Sequence, residues 1–318
     1  MENKALREAY GEALTELGKI NNKIVALDAD LCGATMTSLF KKAFPDRFFD
    51  FGIAETNMVC EAVGMSHVGL IPFVSTFAIF GAGRAYEQIR NSACYSNANV
   101  KFCLTHAGIS VGEDGGSHQS IEDLALMRVL PNMTVVVPCD AIETVKATRA
   151  VAEIQGPVYL RISRITTGLC TDDDTPFQLG RANVLREGSD VAIFACGLMV
   201  KKALEAAEVL SGEGISASVI NMHTIKPIDR ECVIKYARKC GRIVTAEEHS
   251  VIGGLGGAVA EVVAPLGCAK LGMVGIEDKF GCSGKPDELF ERYGLTSEHI
   301  AEKSRAIQRT DFQTGLVF

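Results

Sequence analysis

The segment Thr105–Gln119, THAGISVGEDGGSHQ, gathers reactive side chains on one short stretch. Its 15 residues hold His106 and His118, Glu113 and Asp114, and four glycines. Imidazole and carboxylate groups suit hydroxyl or carbonyl recognition and proton transfer near neutral pH. The glycines let the backbone turn sharply and approach a ligand closely. The plainer alternative is a solvated polar loop. Glu55, in FDFGIAETNMVCEAVGM, is the second candidate. An acid at a helix start is explained simply by the helix dipole. Its apolar sequence neighbours Phe49, Phe51, Ile53, Ala54 and Met58 favour instead a carboxylate in apolar surroundings, whose pKa is raised. Phe77 and Phe80, three apart in STFAIFGAGR, fit core packing or a stacked planar ligand. Arg7 and Arg164 fit surface charges, and Arg164 follows a strand end, where an anion site is reasonable.

These residues need a scaffold, and short apolar runs alternate with helical patterns along the whole chain. The first half offers strands at Lys23–Leu27, Ile71–Val74, Val100–Thr105, Met133–Val137 and Val158–Ile162. Helical spacing predicts Ala5–Leu17, Glu55–His67, Arg84–Ser96 and Ala141–Gln155. The second half offers strands at Val191–Ala195, Ala217–Asn221, Arg242–Ala246 and Met273–Ile276, with helices at Val200–Leu210, Arg230–Cys240, Gly256–Ala264, Pro286–Arg292 and Ser297–Gln308. Uniformly apolar strands are buried on both faces, and their alternation with helices implies right-handed βαβ units. The expected class is therefore α/β, with two parallel-sheet βαβ domains over residues 1–165 and 182–318. A linker rich in Asp, Gly and Thr spans 166–181.

Ligands of open parallel sheets bind beyond the carboxyl ends of the strands. Asp28 and Asp30, Ser75 to Phe80, the 105–119 loop, Ser163 and Arg164 all follow strands of the first half. In the second half, Gly197, NMHTIKPID (221–229) and EEHSVIGGLGG (247–257) do so. The latter glycines lack the spacing of a dinucleotide-binding turn and read better as a tight helix entry at a domain contact.

Composition narrows the function classes. The 318 residues carry 32 Lys+Arg against 39 Asp+Glu, a formal charge of −7, which argues against nucleic-acid binding. The 11 cysteines are odd in number and show no C-x-x-C spacing, so free thiols in a reducing cytosol are expected rather than zinc or disulfides. No stretch approaches the ~20 apolar residues of a membrane span. The expectation is a cytoplasmic protein with neither a membrane nor a nucleic-acid partner.

Taken together, FDFGIAE, STFAIFGAGRAYEQIR, the 105–119 loop and YLRISR resemble the pyrimidine-binding domain of transketolases. NMHTIKPID, IVTAEEHSVIGGLGGAVAE and FGCSGKPDELFERYGLT resemble the transketolase C-terminal domain, shared with the wider thiamine diphosphate superfamily. The family's GDG…N motif, which binds the diphosphate through a metal, does not occur. The chain thus resembles the C-terminal subunit of a split transketolase. The resemblance implies thiamine diphosphate, with Mg²⁺ or Ca²⁺ held mainly by an N-terminal partner subunit and no metal ligand in this chain. It also implies a two-plus-two heterotetramer that transfers a two-carbon ketol unit between sugar phosphates.

By the same resemblance Glu55 contacts N1′ of the aminopyrimidine and shares its proton. Phe80 stacks on that ring, Phe77 neighbours it, and Asp30 lies near the cofactor at the subunit junction. His118 contacts the donor's hydroxyls, Asp114 the acceptor's C2 hydroxyl and His106 the sugar phosphate, with Arg7 and Arg164 as phosphate-binding arginines. Glu55, His118 and His106 form the implied catalytic set. Two family positions differ: a phosphate-contacting serine falls on Ala34 and a pocket tyrosine on Gly83. Ala34 keeps a sulfonated or branched ketose open as substrate. The rival family is the 2-oxo acid dehydrogenase beta subunit, which shares the pyrimidine glutamate, whereas the GEDG-x-SHQ pattern is of the sugar type. Deoxyxylulose-phosphate synthases normally carry both catalytic domains in one chain.

Overall fold

The computed structural model describes residues 3–309. The outermost residues given to the two domains, 1–2 and 310–318, lie outside that range. Six strands come from the first half: β1 (Ile24–Asp28), β2 (Phe48–Asp50), β3 (Ile71–Ser75), β4 (Lys101–Leu104), β5 (Thr134–Val136) and β6 (Val158–Arg161). Six follow: β7 (Asn183–Arg186), β8 (Val191–Ala195), β9 (Ala217–Asn221), β10 (Thr224–Lys226), β11 (Arg242–Ser250) and β12 (Lys270–Ile276). They form a seven-stranded sheet in the order β10-β5-β6-β4-β3-β1-β2 and a five-stranded sheet in the order β12-β11-β8-β9-β7. Every pairing is parallel except β10 with β5 and β7 with β9. Strands β1, β4, β6, β8 and β9 are buried along their whole length, which is what continuous apolar runs between two helical layers require.

Several helices keep the bounds read from their periodicity: Glu55–His67, Arg230–Cys240 and Pro286–Arg292. Local chemistry fixes such ends. Asp140 caps the helix Ala141–Glu153 by accepting from Glu143 N–H, and Asp229 caps Arg230–Cys240 by accepting from Cys232 N–H.

The structure corrects two expectations. The helix expected at Arg84–Ser96 starts earlier and is broken by two π-turns, Ile79–Arg84 and Ile89–Cys94. Each π-turn adds a residue to the turn and re-aims the side chains around it, a device common at functional sites. The stretch 221–229, expected at a ligand edge, instead contains β10. That strand crosses to the first sheet, so one strand of the second half completes the sheet of the first. Lys226 Nζ fastens this edge by donating to the Arg128 carbonyl at 3.1 Å.

Of the stretch 247–257, residues 247–250 end β11 and the glycines after them form the helix entry expected from the sequence. The Glu247 carboxylate accepts from Leu255 and Gly256 N–H at 2.7 and 2.8 Å, at the start of the helix Leu255–Val263. Between the sheets, the Asp140 carboxylate also accepts from Cys170 and Thr171 N–H, each at 2.7 Å. Among the described residues no helix is long and apolar enough to cross a membrane.

Candidate active site at the carboxyl edge of the first sheet

The parallel pairing of β3 with β4 continues past both strand ends as an isolated bridge between Phe77 and Thr105. This extension brings the STF turn beside the 105–119 loop. Phe77 stacks on the His106 ring, with centroids 3.9 Å apart and planes 22° apart. Phe77 also lies nearly parallel to Phe80, with centroids 5.8 Å apart. His118 meets the Phe80 ring edge-on at 5.4 Å.

The π-turn Ile79–Arg84 swings Arg84 back over Phe80, its guanidinium carbon 4.9 Å from the ring centre. Arg84 Nη1 then reaches both oxygens of Glu55, at 2.9 and 3.1 Å. Glu55, Arg84, Phe80, Phe77 and His106 thus form one unbroken row, flanked by His118.

Glu55 opens the helix Glu55–His67 and is only 2% exposed. Its setting differs from the apolar one expected. Met58 is buried, yet Ile53 is 76% exposed and Phe49 also reaches solvent. The side chain against the carboxylate is a half-exposed arginine. The physical reason is the turn at 52–54, which points Ile53 outward and leaves the Arg84 guanidinium as the contact. Arg84 was missed from sequence because its role depends on the π-turn. The available signal was its place four residues after Phe80 in STFAIFGAGR.

His106 has a left-handed backbone, φ 58°, and is buried. Burial, and then the charges of Arg7 and Arg164, push its pKa down to about 3. It is therefore a neutral ring with one donor and one acceptor nitrogen, and Nδ1 lies 2.8 Å from Thr105 Oγ1. A neutral imidazole recognises hydroxyls or phosphate oxygens by hydrogen bonding, not as a cation.

Arg7 Nη1 donates to the Ala34 carbonyl at 3.0 Å, and its buried Nε has no partner among the described residues. Arg164 Nη1 donates to the Val111 carbonyl and sits 3.8 Å from Glu113. Asp30 and Asp114 are exposed. Among the described residues neither is drawn into the aromatic row by a hydrogen bond or ion pair. The Asp30 N–H instead binds the Asp50 carboxylate at 3.0 Å.

Asp28 beneath this edge is buried and accepts from Thr35 Oγ1, Thr37 Oγ1 and Leu31 N–H. Burial raises it to about 6 in spite of these donors. It holds the turn that carries Asp30 and Ala34.

A flat heteroaromatic ring with a basic nitrogen fits this edge. Glu55 supplies a buried acceptor and Phe80 a partly exposed ring beside it, over which Arg84 lies. A side chain at Gly83 would meet only Ile79 Cδ1, at 3.6 Å, so that wall is open. Among the described residues the cluster of candidate metal ligands is Cys139, Asp140 and Cys170. There the Asp140 carboxylate is already engaged by Glu143, Cys170 and Thr171.

Comparison with known proteins agrees in both halves. The family model for the transketolase pyrimidine binding domain matches residues 2–168, and that for the transketolase C-terminal domain matches 180–300. A protein of Methanocaldococcus jannaschii provisionally named a transketolase C-terminal section is 50% identical, covering 94% of this chain and 95% of that protein. The 6-deoxy-6-sulfo-D-fructose transketolase subunit SqwH of Clostridium sp. is 41% identical over 98% of each chain. Among solved structures, a split-gene transketolase in an inactive beta4 tetramer is 53% identical, with a TM-score of 0.89 over 96% of this chain and 99% of that one.

Proposed function

The chain belongs to the transketolase family, and from that premise we propose that it is the C-terminal subunit of a two-chain, thiamine diphosphate-dependent transketolase. The observation that carries this reading is the row from Glu55 through Arg84, Phe80 and Phe77 to His106. It offers a buried carboxylate and an aromatic face on one side, and sugar-directed imidazoles on the other. When bound, thiamine diphosphate supplies the nucleophilic carbon and electron sink that cleave and form the ketose carbon–carbon bond.

This chain's residues do the rest. Glu55 holds a proton at the pyrimidine ring nitrogen. Arg84, half-exposed, yields one carboxylate oxygen to that contact and steadies the other. Phe80 and Phe77 orient the ring. Neutral His106 and half-buried His118 bind sugar oxygens, Asp114 reads an acceptor hydroxyl, and Arg7 and Arg164 draw in the anionic end. Asp30 stands at the rim where the partner subunit meets the cofactor. The diphosphate and its Mg²⁺ or Ca²⁺ fall to an N-terminal partner subunit in a two-plus-two cytoplasmic assembly.

The test is ketol transfer from xylulose 5-phosphate to ribose 5-phosphate, with thiamine diphosphate and Mg²⁺, for the chain alone and with its partner. Activity is expected only with the partner, in keeping with the inactive tetramer of the split-gene relative. Full activity of the lone chain overturns the reading. A second reading, transfer from a sulfonated ketose, is favoured by Ala34 and by the likeness to SqwH. A kcat/KM for 6-deoxy-6-sulfofructose above that for fructose 6-phosphate would select it.

A further inference from the structure

The glycines of the 105–119 loop have a purpose that ligand approach does not explain. Gly108, Gly112 and Gly115 take φ of 83°, 87° and 76°, which side chains resist. In addition, the space beside them is filled by the C-terminal half. A side chain on Gly108 would strike the Glu248 carboxylate. One on Gly115 would come within 2.5 Å of Ser283 Oγ, and one on Gly116 within 2.6 Å of the Gly281 carbonyl.

Two polar clamps complete the contact. Glu248, buried at the end of β11, accepts from Ser110 N–H at 2.7 Å. Gln119, also buried, donates through Nε2 to the carbonyls of Ile109 and Gly112 in its own loop and of Cys282 across the boundary, at 3.2, 3.2 and 3.0 Å. Arg161 Nη2 donates to the Glu248 carbonyl at 3.0 Å and keeps that strand end in place. His106 and His118 lie at the two ends of the segment these bonds pin. Their separation is therefore set from the other half of the chain.

We propose that Glu248 and Gln119 are positioning residues, through which the C-terminal half fixes the 105–119 loop and so sets affinity for the sugar. The affinity part rests on the function proposed above; the pinning does not. Losing the clamp should loosen the loop without moving Glu55, which opens another helix and is held by Arg84. Substrate binding should then suffer more than turnover.

The experiment uses the complex with the partner subunit and three variants. Glu248→Ala removes the acceptor, Glu248→Gln keeps an oxygen for Ser110 N–H, and Gly281→Ala crowds Gln119 from the C-terminal side. For Glu248→Ala the KM for the sugar phosphate should rise about tenfold with kcat within about twofold. Amide hydrogen exchange across 105–119 should quicken in parallel. Glu248→Gln should restore both to within about twofold of wild type, and Gly281→Ala should raise KM about threefold. A folded Glu248→Ala with unchanged KM and exchange overturns the proposal, as does a defect that Glu248→Gln shares in full. If the wild-type complex shows no ketol transfer, the proposed function fails, and the exchange pattern still decides whether the clamp exists.

Discussion

Two regions of this molecule use the same residue types in opposite ways. The aromatic row at the carboxyl edge of the first sheet combines a carboxylate, an arginine and imidazoles. The cluster of Asp123, Arg161, Glu247, Glu248 and His249 between the two halves likewise combines carboxylates, an arginine and an imidazole. In the cluster, bonding is turned inward. Arg161 pairs with Asp123 through Nε at 2.6 Å and Nη2 at 3.1 Å, and Tyr159 donates to the same carboxylate. His249 Nε2 accepts from the backbone of Leu124 and Ala125. These groups are almost completely buried.

In the row, Glu55 is the one deeply buried acid, and its partner Arg84 is half exposed. Phe80 and His118 are partly exposed as well. Buried ionisable groups fasten a structure when their bonds close on one another. They become available for chemistry when one side is left open to a ligand.

Substitutions should separate the two regions. The largest effect expected is on Glu55→Gln, assayed in the complex. Turnover should drop by about 10²–10⁴, the range for losing a positioned proton-transfer group, with little change in Tm. Near-normal kcat would remove Glu55 from the proposed mechanism.

Asp123→Asn should do the reverse. It leaves Arg161 buried with a weakened partner, a loss of about 3–5 kcal/mol by the measure of broken buried ion pairs. Denaturant unfolding should show it, and a stability within experimental error of wild type would sink the structural role.

A smaller effect separates His106 from an ordinary surface histidine. Its folded pKa of about 3 lies below the ordinary 6.5. The stability it lends is thus present above about pH 6.5 and is lost as pH falls from there towards 3. Replacement by Asn, which tolerates the left-handed backbone, abolishes that dependence. The Tm gap between wild type and His106→Asn should be wide at pH 8 and narrower at pH 5. A constant gap would show that His106 titrates like an exposed ring.

Much of the scaffold was legible because burial writes itself into periodicity. The runs Val191–Ala195 and Ala217–Asn221 are strands with those bounds, and Glu55–His67 is a helix with those bounds. A short, partly exposed element such as β7 escaped, since four residues hold too little period to register. The escape of β10 has another cause. A three-residue strand that pairs across the boundary with β5 is defined by its partner more than by its own residues. At the site, His106 was named from the composition of its loop, Phe77 and Phe80 were singled out by spacing and given a role only by the family resemblance, and the fold brings the three into one stack. The pairing of Glu55 with Arg84 was hidden, because the π-turn that makes it violates the 3.6-residue period from which helices are read.

The sequence by itself determined the α/β class, the family and the residue types able to do this chemistry. These depend on local pattern and on side-chain identity, which a linear chain carries in full. Only the tertiary structure decided what those groups are in place. It made His106 neutral by burying it near two arginines, and it paired Glu55 with an arginine 29 residues away. It also assigned the loop glycines to a contact with residues more than 130 positions distant. Solvation, charge and steric exclusion are set by neighbours in space, and folding chooses those neighbours.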